Sequence, residues 1–141
     1  MSRQIEFRGK RVDNGEWVYG DLSSMAQRVY ISNFQPDNTY KDGAENTHLY
    51  KHLWVIPETI GQFTGLTDKT GKKIFEGDIL QFIENPKFKE EVSFDDGAFG
   101  FYYKRTDSVI AFSDHEHGED TEEYEVIGNV HDNKELLGEN K

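Results

Sequence analysis

"TGLTDKTGKKIFEGDIL", Thr64 to Leu80, crowds glycines, lysines and aspartates into one short span, and its reading decides the fold. A phosphate-gripping Walker loop needs two glycines with four residues between them, then Lys and a hydroxyl residue, so that backbone amides cradle the phosphates and the hydroxyl meets magnesium. Gly65 and Gly71 have five residues between them, and Lys72 is followed by Lys73 rather than by Ser or Thr. No helix-forming run comes next. The alternative fits residue by residue: Asp68-Lys69-Thr70-Gly71 carries Asp at the first and Gly at the fourth position of a type I turn. Glu76-Gly77-Asp78 then makes a second tight turn into the apolar run Ile79–Ile83. The stretch therefore reads as two turns around a short strand, with Lys69, Lys72 and Lys73 as solvated charges at a hairpin tip.

The same grammar extends outward. "ILQFI" (79–83) is apolar on both parities, the pattern of a central strand covered on both faces. "VSFDDGAFGFYY" (92–103) predicts a hairpin closed by the three-residue loop Asp95-Asp96-Gly97, with Gly97 left-handed and Phe99, Phe101 and Tyr103 along one face. "EYEVIGNV" (123–130) alternates through Tyr124, Val126 and Val130 and reads as a last strand. The pairs Ile5/Phe7, Trp17/Tyr19, Val29/Ile31 and Trp54/Ile56 each place two side chains on one face of a strand in the first half. No long stretch carries the apolar spacing of a helix. Only "HDNKELLG" (131–138) suggests one short helix, with Asp132 or Asn133 as N-cap, Leu136 and Leu137 inward and Gly138 as the stop. The expected fold is mainly β, with α+β as the alternative: a strongly bent antiparallel sheet or small barrel closed by that helix.

Length and composition bound the rest. The chain has 141 residues, which fits one domain, 1–141, with a weak subdivision near Pro57 into N-terminal strands 1–57 and a barrel-like core 58–141. There is no cysteine, so disulfides and thiolate-bound metals are excluded. The segment beginning "MSRQIEFRGKR" lacks the apolar core of a secretory signal, and no window approaches a membrane span. A cytoplasmic, soluble protein with no membrane partner is the expectation. A net charge of −11 disfavours a phosphate backbone as partner unless the cations gather on one face. Ten Phe, seven Tyr and two Trp argue for an ordered core in spite of that charge.

Candidate sites are few. Arg3, Arg8, Lys10 and Arg11, with Trp17 and Tyr19, would form a basic and aromatic surface for single-stranded nucleic acid or an acidic partner. The blander reading of this segment is an edge strand guarded by charge. Lys69, Lys72 and Lys73 are the other basic surface candidates. His115 and His117 in "DHEHGED" (114–120), with His131, are the weak metal candidates, and an HxH in an acidic loop more often binds metal adventitiously. His48 and His52 would share a strand face as surface residues. Ser113-Asp114-His115 is adjacent in sequence, as catalytic triads rarely are, and no nucleophile elbow is present. Glu90-Glu91, Asp95-Asp96 and Glu122-Glu123 are consecutive, so on strands their side chains diverge and read as solvated charge. Residues 35–46 make a long loop, and 106–123 form an acidic loop with an apolar island at 109–112. No cofactor is implied.

Four blocks in order, "IEFRGKR" with "GEWVYGDL", "VIPETIGQFTGLTDKTGKKIFEGDIL", "VSFDDGAFGF" and "EYEVIGNVHDNKELL", resemble the YopX-like family of phage and prophage proteins. The likeness runs from residue 5 to 137 and departs at Lys134, where the family usually has Pro. It implies a compact β-rich domain of phage or prophage origin in a bacterial cytoplasm, capable of self-association. It brings no catalytic residues. The function expected is a non-enzymatic accessory protein that binds protein, as a homo-oligomer or with a host or phage protein. The rivals are a nucleic-acid-binding barrel and a metal-dependent hydrolase using His115, His117 and His131.

Overall fold

The computed structural model describes residues 4–34, 40–41, 47–48, 50–112 and 121–138. The chain divides into two compact units, Met1–Gln62 and Phe63–Lys141.

In the first unit, β1 (Phe7–Lys10), β2 (Trp17–Met25) and β3 (Arg28–Phe34) form consecutive antiparallel pairs. β4 (Tyr40–Lys41), inside the stretch 35–46 expected to be loop, and β5 (Thr47–His48), just beyond it, make a small ribbon. β6 (Tyr50–Trp54) then pairs with β3, and a 3-10 turn at Pro57–Thr59 leads into β7 (Gly61–Thr67). Gly61 and Gln62 pair with Arg8 and Phe7 on the flank of β1 opposite β2. β1 is therefore not an edge strand, which removes the guarded-edge reading of its charges.

This sheet curls strongly. Arg11 bridges to Val55, the Val12 amide donates to the Trp54 carbonyl at 3.0 Å, and the Ile56 amide donates to the Lys10 carbonyl at 2.8 Å. Glycine at position 9 permits the approach, since a Cβ there would lie 3.1 Å from Val55 Cβ. The inner face holds Ile31 and Val55, both fully buried, with Leu53 beside them. Burying each such aliphatic side chain contributes roughly 1.5–3 kcal/mol. The β6 parity that is buried is thus Leu53/Val55, while Trp54 and Ile56 lie on the exposed one.

In the second unit β7 continues into β8 (Lys73–Phe75), followed by β9 (Asp78–Phe82), β10 (Lys89–Asp95), β11 (Ala98–Tyr103), β12 (Ser108–Ala111) and β13 (Tyr124–Asn129). The five-stranded sheet runs β12-β11-β10-β9-β13 and does not close, so the barrel expected for this half is an open antiparallel sheet. β9 is central, as its sequence required: Ile79 and Leu80 are consecutive, point to opposite faces, and are both fully buried. The core joins Ile74, Leu80, Val92, Phe101, Phe112, Tyr124 and Val126. Phe99 and Tyr103 pack against it from the face predicted for them.

Four expectations are corrected here. Asp95 pairs with Ala98, so the β10–β11 loop has two residues, Asp96 (φ 51°) and Gly97 (φ 79°), both positive as a type I′ turn requires. The apolar island at 109–112 is largely strand β12, with Phe112 delivered into the core. Glu90 is buried rather than solvated. The C-terminal element is a 3-10 turn, Lys134–Leu137, not an α-helix. Asn133 occupies the N-cap position, but its side chain accepts from the Asn129 amide instead of capping. Gly138, at φ 67°, ends the turn after four residues.

Candidate binding surface

Directly opposed residues in antiparallel strands share a face, and the registers of the first unit assemble one outward surface. Arg8 opposes Tyr19 and Lys10 opposes Trp17. Further along β2 and β3, Ser23 opposes Tyr30, Met25 opposes Arg28 and Asp21 opposes Ser32, while Tyr30 and Ser32 oppose Trp54 and His52 on β6. Period-two alternation sends their neighbours along the strands, Ile31 and Leu53, inward. The outward face remains open: Tyr19, Met25 and Trp54 are 44%, 52% and 42% exposed.

Cations are already stacked on its rings. The Arg28 guanidinium lies 4.1 Å from the centre of the Trp54 ring. Arg8 and the Lys10 ammonium lie 4.6 Å and 5.7 Å from that of Trp17. Each pair contributes on the order of 0.5–2 kcal/mol and holds the aromatic in one orientation. Ser32, buried, meets the His52 ring at 2.6 Å between Oγ and Nδ1.

The structure brings Arg8, Lys10, Trp17 and Tyr19 onto this face, but Arg8 is a buried residue rather than a surface cation. Arg11 grips Asp13 through two hydrogen bonds, 2.9 Å and 2.6 Å, and that contact holds the Asp13 carboxyl below its ordinary range. Arg28, Tyr30, Met25 and Trp54 were missed. The signal for Arg28 and Tyr30 was present in "RVYIS" (28–32): once Val29 and Ile31 are inward, Arg28 and Tyr30 take the other face.

In the second unit, Lys69 and Lys72 are exposed at the β7–β8 turn, and the Lys73 ammonium lies 5.4 Å from the centre of the Phe63 ring. The backbone of this turn carries more structure than its charges do. Gly71 donates to the Asp68 carbonyl at 3.0 Å, closing the predicted turn. Buried Asp68 accepts from the Thr70 amide, the Thr70 hydroxyl and the Lys72 amide. Its other oxygen accepts from the Val126 amide on β13. Burial by itself would push this carboxyl up, but the Val126 amide and then the Thr70 and Lys72 donors hold it below the ordinary range. The edge of β13 is thereby capped, with the Lys69 amide also donating to the Tyr124 carbonyl at 3.0 Å.

Glu90 faces two buried-side phenols. Desolvation first, and the Glu90 charge second, push Tyr103 and Tyr124 each up to about 12. Arg3, His115 and His117 lie outside the described residues, as does Ser113-Asp114-His115. His131 is exposed, its amide donating to Asn129 Oδ1. Among the described residues, no group of three or more His, Asp or Glu side chains is placed to hold a metal. Among them, too, no helix is long and apolar enough to cross a membrane.

Comparison with known proteins agrees with this architecture. The crystal structure of protein EF1440 from Enterococcus faecalis is similar in fold, with a TM-score of 0.57 at 24% identity, over 96% of this chain and 99% of that one. No curated protein matches the chain. A family model described as "YopX protein" matches residues 6–138, nearly the whole sequence. On that match, the chain belongs to the YopX family.

Proposed function

We propose that this protein is a non-enzymatic phage or prophage accessory protein of the bacterial cytoplasm, acting by binding protein and by associating with itself. The observation that carries the reading is the outward face of the first unit, where Tyr30 and Trp54 gather with Met25 and Arg28, and Tyr19 and Trp17 extend the same face along β2. Trp, Tyr and Arg are the residues that dominate binding energy at protein interfaces, and Met joins them in interface cores. Exposed apolar surface collected into one patch marks an interaction site rather than ordinary surface scatter. A nucleic-acid role has less support, because the Arg8 guanidinium is enclosed and Arg11 is held by Asp13.

Affinity capture from host and phage-infected lysates, with light scattering of the purified chain, tests the reading. Expected are association of the pure chain or a specific captured protein, abolished by Trp54→Ala with Tyr30→Ala. A chain that stays monomeric and captures nothing, or whose captured proteins ignore these substitutions, would overturn it.

A further inference from the structure

Where β2, β3 and β6 lie side by side, from Asp21 to Met25 along β2, the outward face is bipolar as well as aromatic. Arg28, exposed, sits at one end beside Met25, and Asp21, also exposed, sits at the other beside Ser32. Their backbone levels are four residues apart along the strands, about 13 Å at ~3.3 Å per residue, and the Arg28 side chain reaches from its end to the Trp54 ring. Tyr30 and Trp54 oppose each other at the level midway between them. We propose that this face pairs with the same face of a second copy of this chain, about a two-fold axis lying in the interface and crossing the strands at Tyr30 and Trp54. The inference rests on the self-association proposed above and names the surface that performs it.

The symmetry follows from the charge layout. A two-fold axis in the plane between two stacked sheets reverses the strand direction, so the Arg28 end of one copy lies over the Asp21 end of the other. Each dimer then makes two Arg28–Asp21 contacts related by the axis, with Tyr30 and Trp54 of both copies enclosed between them. An isologous interface requires such self-complementarity, whereas a carboxylate within the patch repels a polyanion. The patch is three strands wide, about 14 Å, and five residues long, about 17 Å. That is well below the ~800 Å² per partner of a standard interface, so the dimer is weak and depends on concentration.

Charge exchange in the full-length chain tests this, with sedimentation equilibrium from about 10 µM to 1 mM and circular dichroism to confirm folding. Both residues are exposed, so their variants are expected to fold. Arg28→Asp and Asp21→Arg should each weaken dimerisation at least tenfold, since each puts like charges together twice. The double variant, Arg28→Asp with Asp21→Arg, restores both contacts and should return to within about threefold of the original chain. If the original chain associates but the double variant stays as weak as the single ones, this face is not the interface, although self-association stands. If the original chain remains monomeric to 1 mM yet still captures a protein through Trp54 and Tyr30, the second copy is the wrong occupant, although protein binding stands. A monomer that instead binds oligo(dT) in a salt-sensitive manner through Trp54 overturns both.

Discussion

Asp68 and Val126 stand 58 residues apart, and the carboxylate of one accepts a 2.9 Å hydrogen bond from the amide of the other. A side chain conserving the geometry of its own turn thereby also closes the edge of the last strand. Asp68→Ala strands the Val126 amide at a buried position, at roughly 1–3 kcal/mol for an unsatisfied group, and takes the turn's acceptor from the part-buried Thr70 and Lys72 amides. The expected loss is about 3 kcal/mol, or roughly 10 °C in Tm, measured by thermal unfolding. Because the folded carboxyl titrates below its unfolded value of 3.8, its contribution is complete above that pH and disappears as pH falls through the folded value. The stability gap between the original chain and Asp68→Ala should therefore close in acid, and a gap that stays constant from pH 6 to 2 contradicts the linkage.

Tyr103 and Tyr124 titrate near 12 when folded, against 10 when exposed. Between those values the unfolded chain has released protons that the folded chain retains, so stability falls as pH rises from 10 to 12. Spectrophotometric titration at 295 nm should show late-titrating phenols, Tyr103 and Tyr124 among them, that become normal on unfolding. Glu90→Gln should lower both, since the carboxylate adds to the effect of burial.

Two glycines differ in what a methyl group would strike. At Gly100 a Cβ would lie 2.1 Å from the Ile110 carbonyl oxygen, a backbone atom fixed by the β11–β12 ladder. At Gly128 it would meet Asn133 Oδ1 at 2.6 Å and Leu136 Cδ1 at 2.9 Å, both side-chain ends that can turn away. Gly100→Ala should cost about 3 kcal/mol and Gly128→Ala about 1 kcal/mol in urea unfolding. The reverse order would mean that the C-terminal turn is packed more rigidly than the edge strand.

The β2–β3 hairpin has Met25 paired with Arg28 and only Ala26 (φ 52°) and Gln27 (φ 67°) between them. Left-handed backbone costs about 1–2 kcal/mol for an ordinary residue, and Asn-Gly is the pair that suits two positive φ angles. Replacing Ala26-Gln27 with Asn-Gly should raise stability by about 1 kcal/mol, seen as a higher urea midpoint. A lower midpoint would mean that the Ala26 or Gln27 side chain supports the fold in some other way.

This hairpin shows where legibility ended. Asp68 to Gly71 and Glu76 to Asp78 could be read directly, because Asp and Gly act within four residues and their turn chemistry needs no distant partner. Ala26-Gln27 carries no such chemistry, and the flanking strands impose its conformation. The outward face was half visible: alternation put Trp17 with Tyr19, but nothing local could say that Tyr30 lies opposite Trp54, since that register belongs to the pairing of β3 with β6.

By itself, then, the sequence determined a mainly antiparallel β protein of the YopX family, a central strand at Ile79 and Leu80, and the turns on either side of β8. Those properties come from local backbone preference and strand alternation. The tertiary structure alone decided that Glu90 is buried beside two phenols, that the sheets stay open, and that the C-terminal segment tightens into a 3-10 turn against Gly128. It also gave Asp68 its second partner. Each of these depends on which distant chain segment fills the space beside a residue, and spacing along one chain carries no record of that.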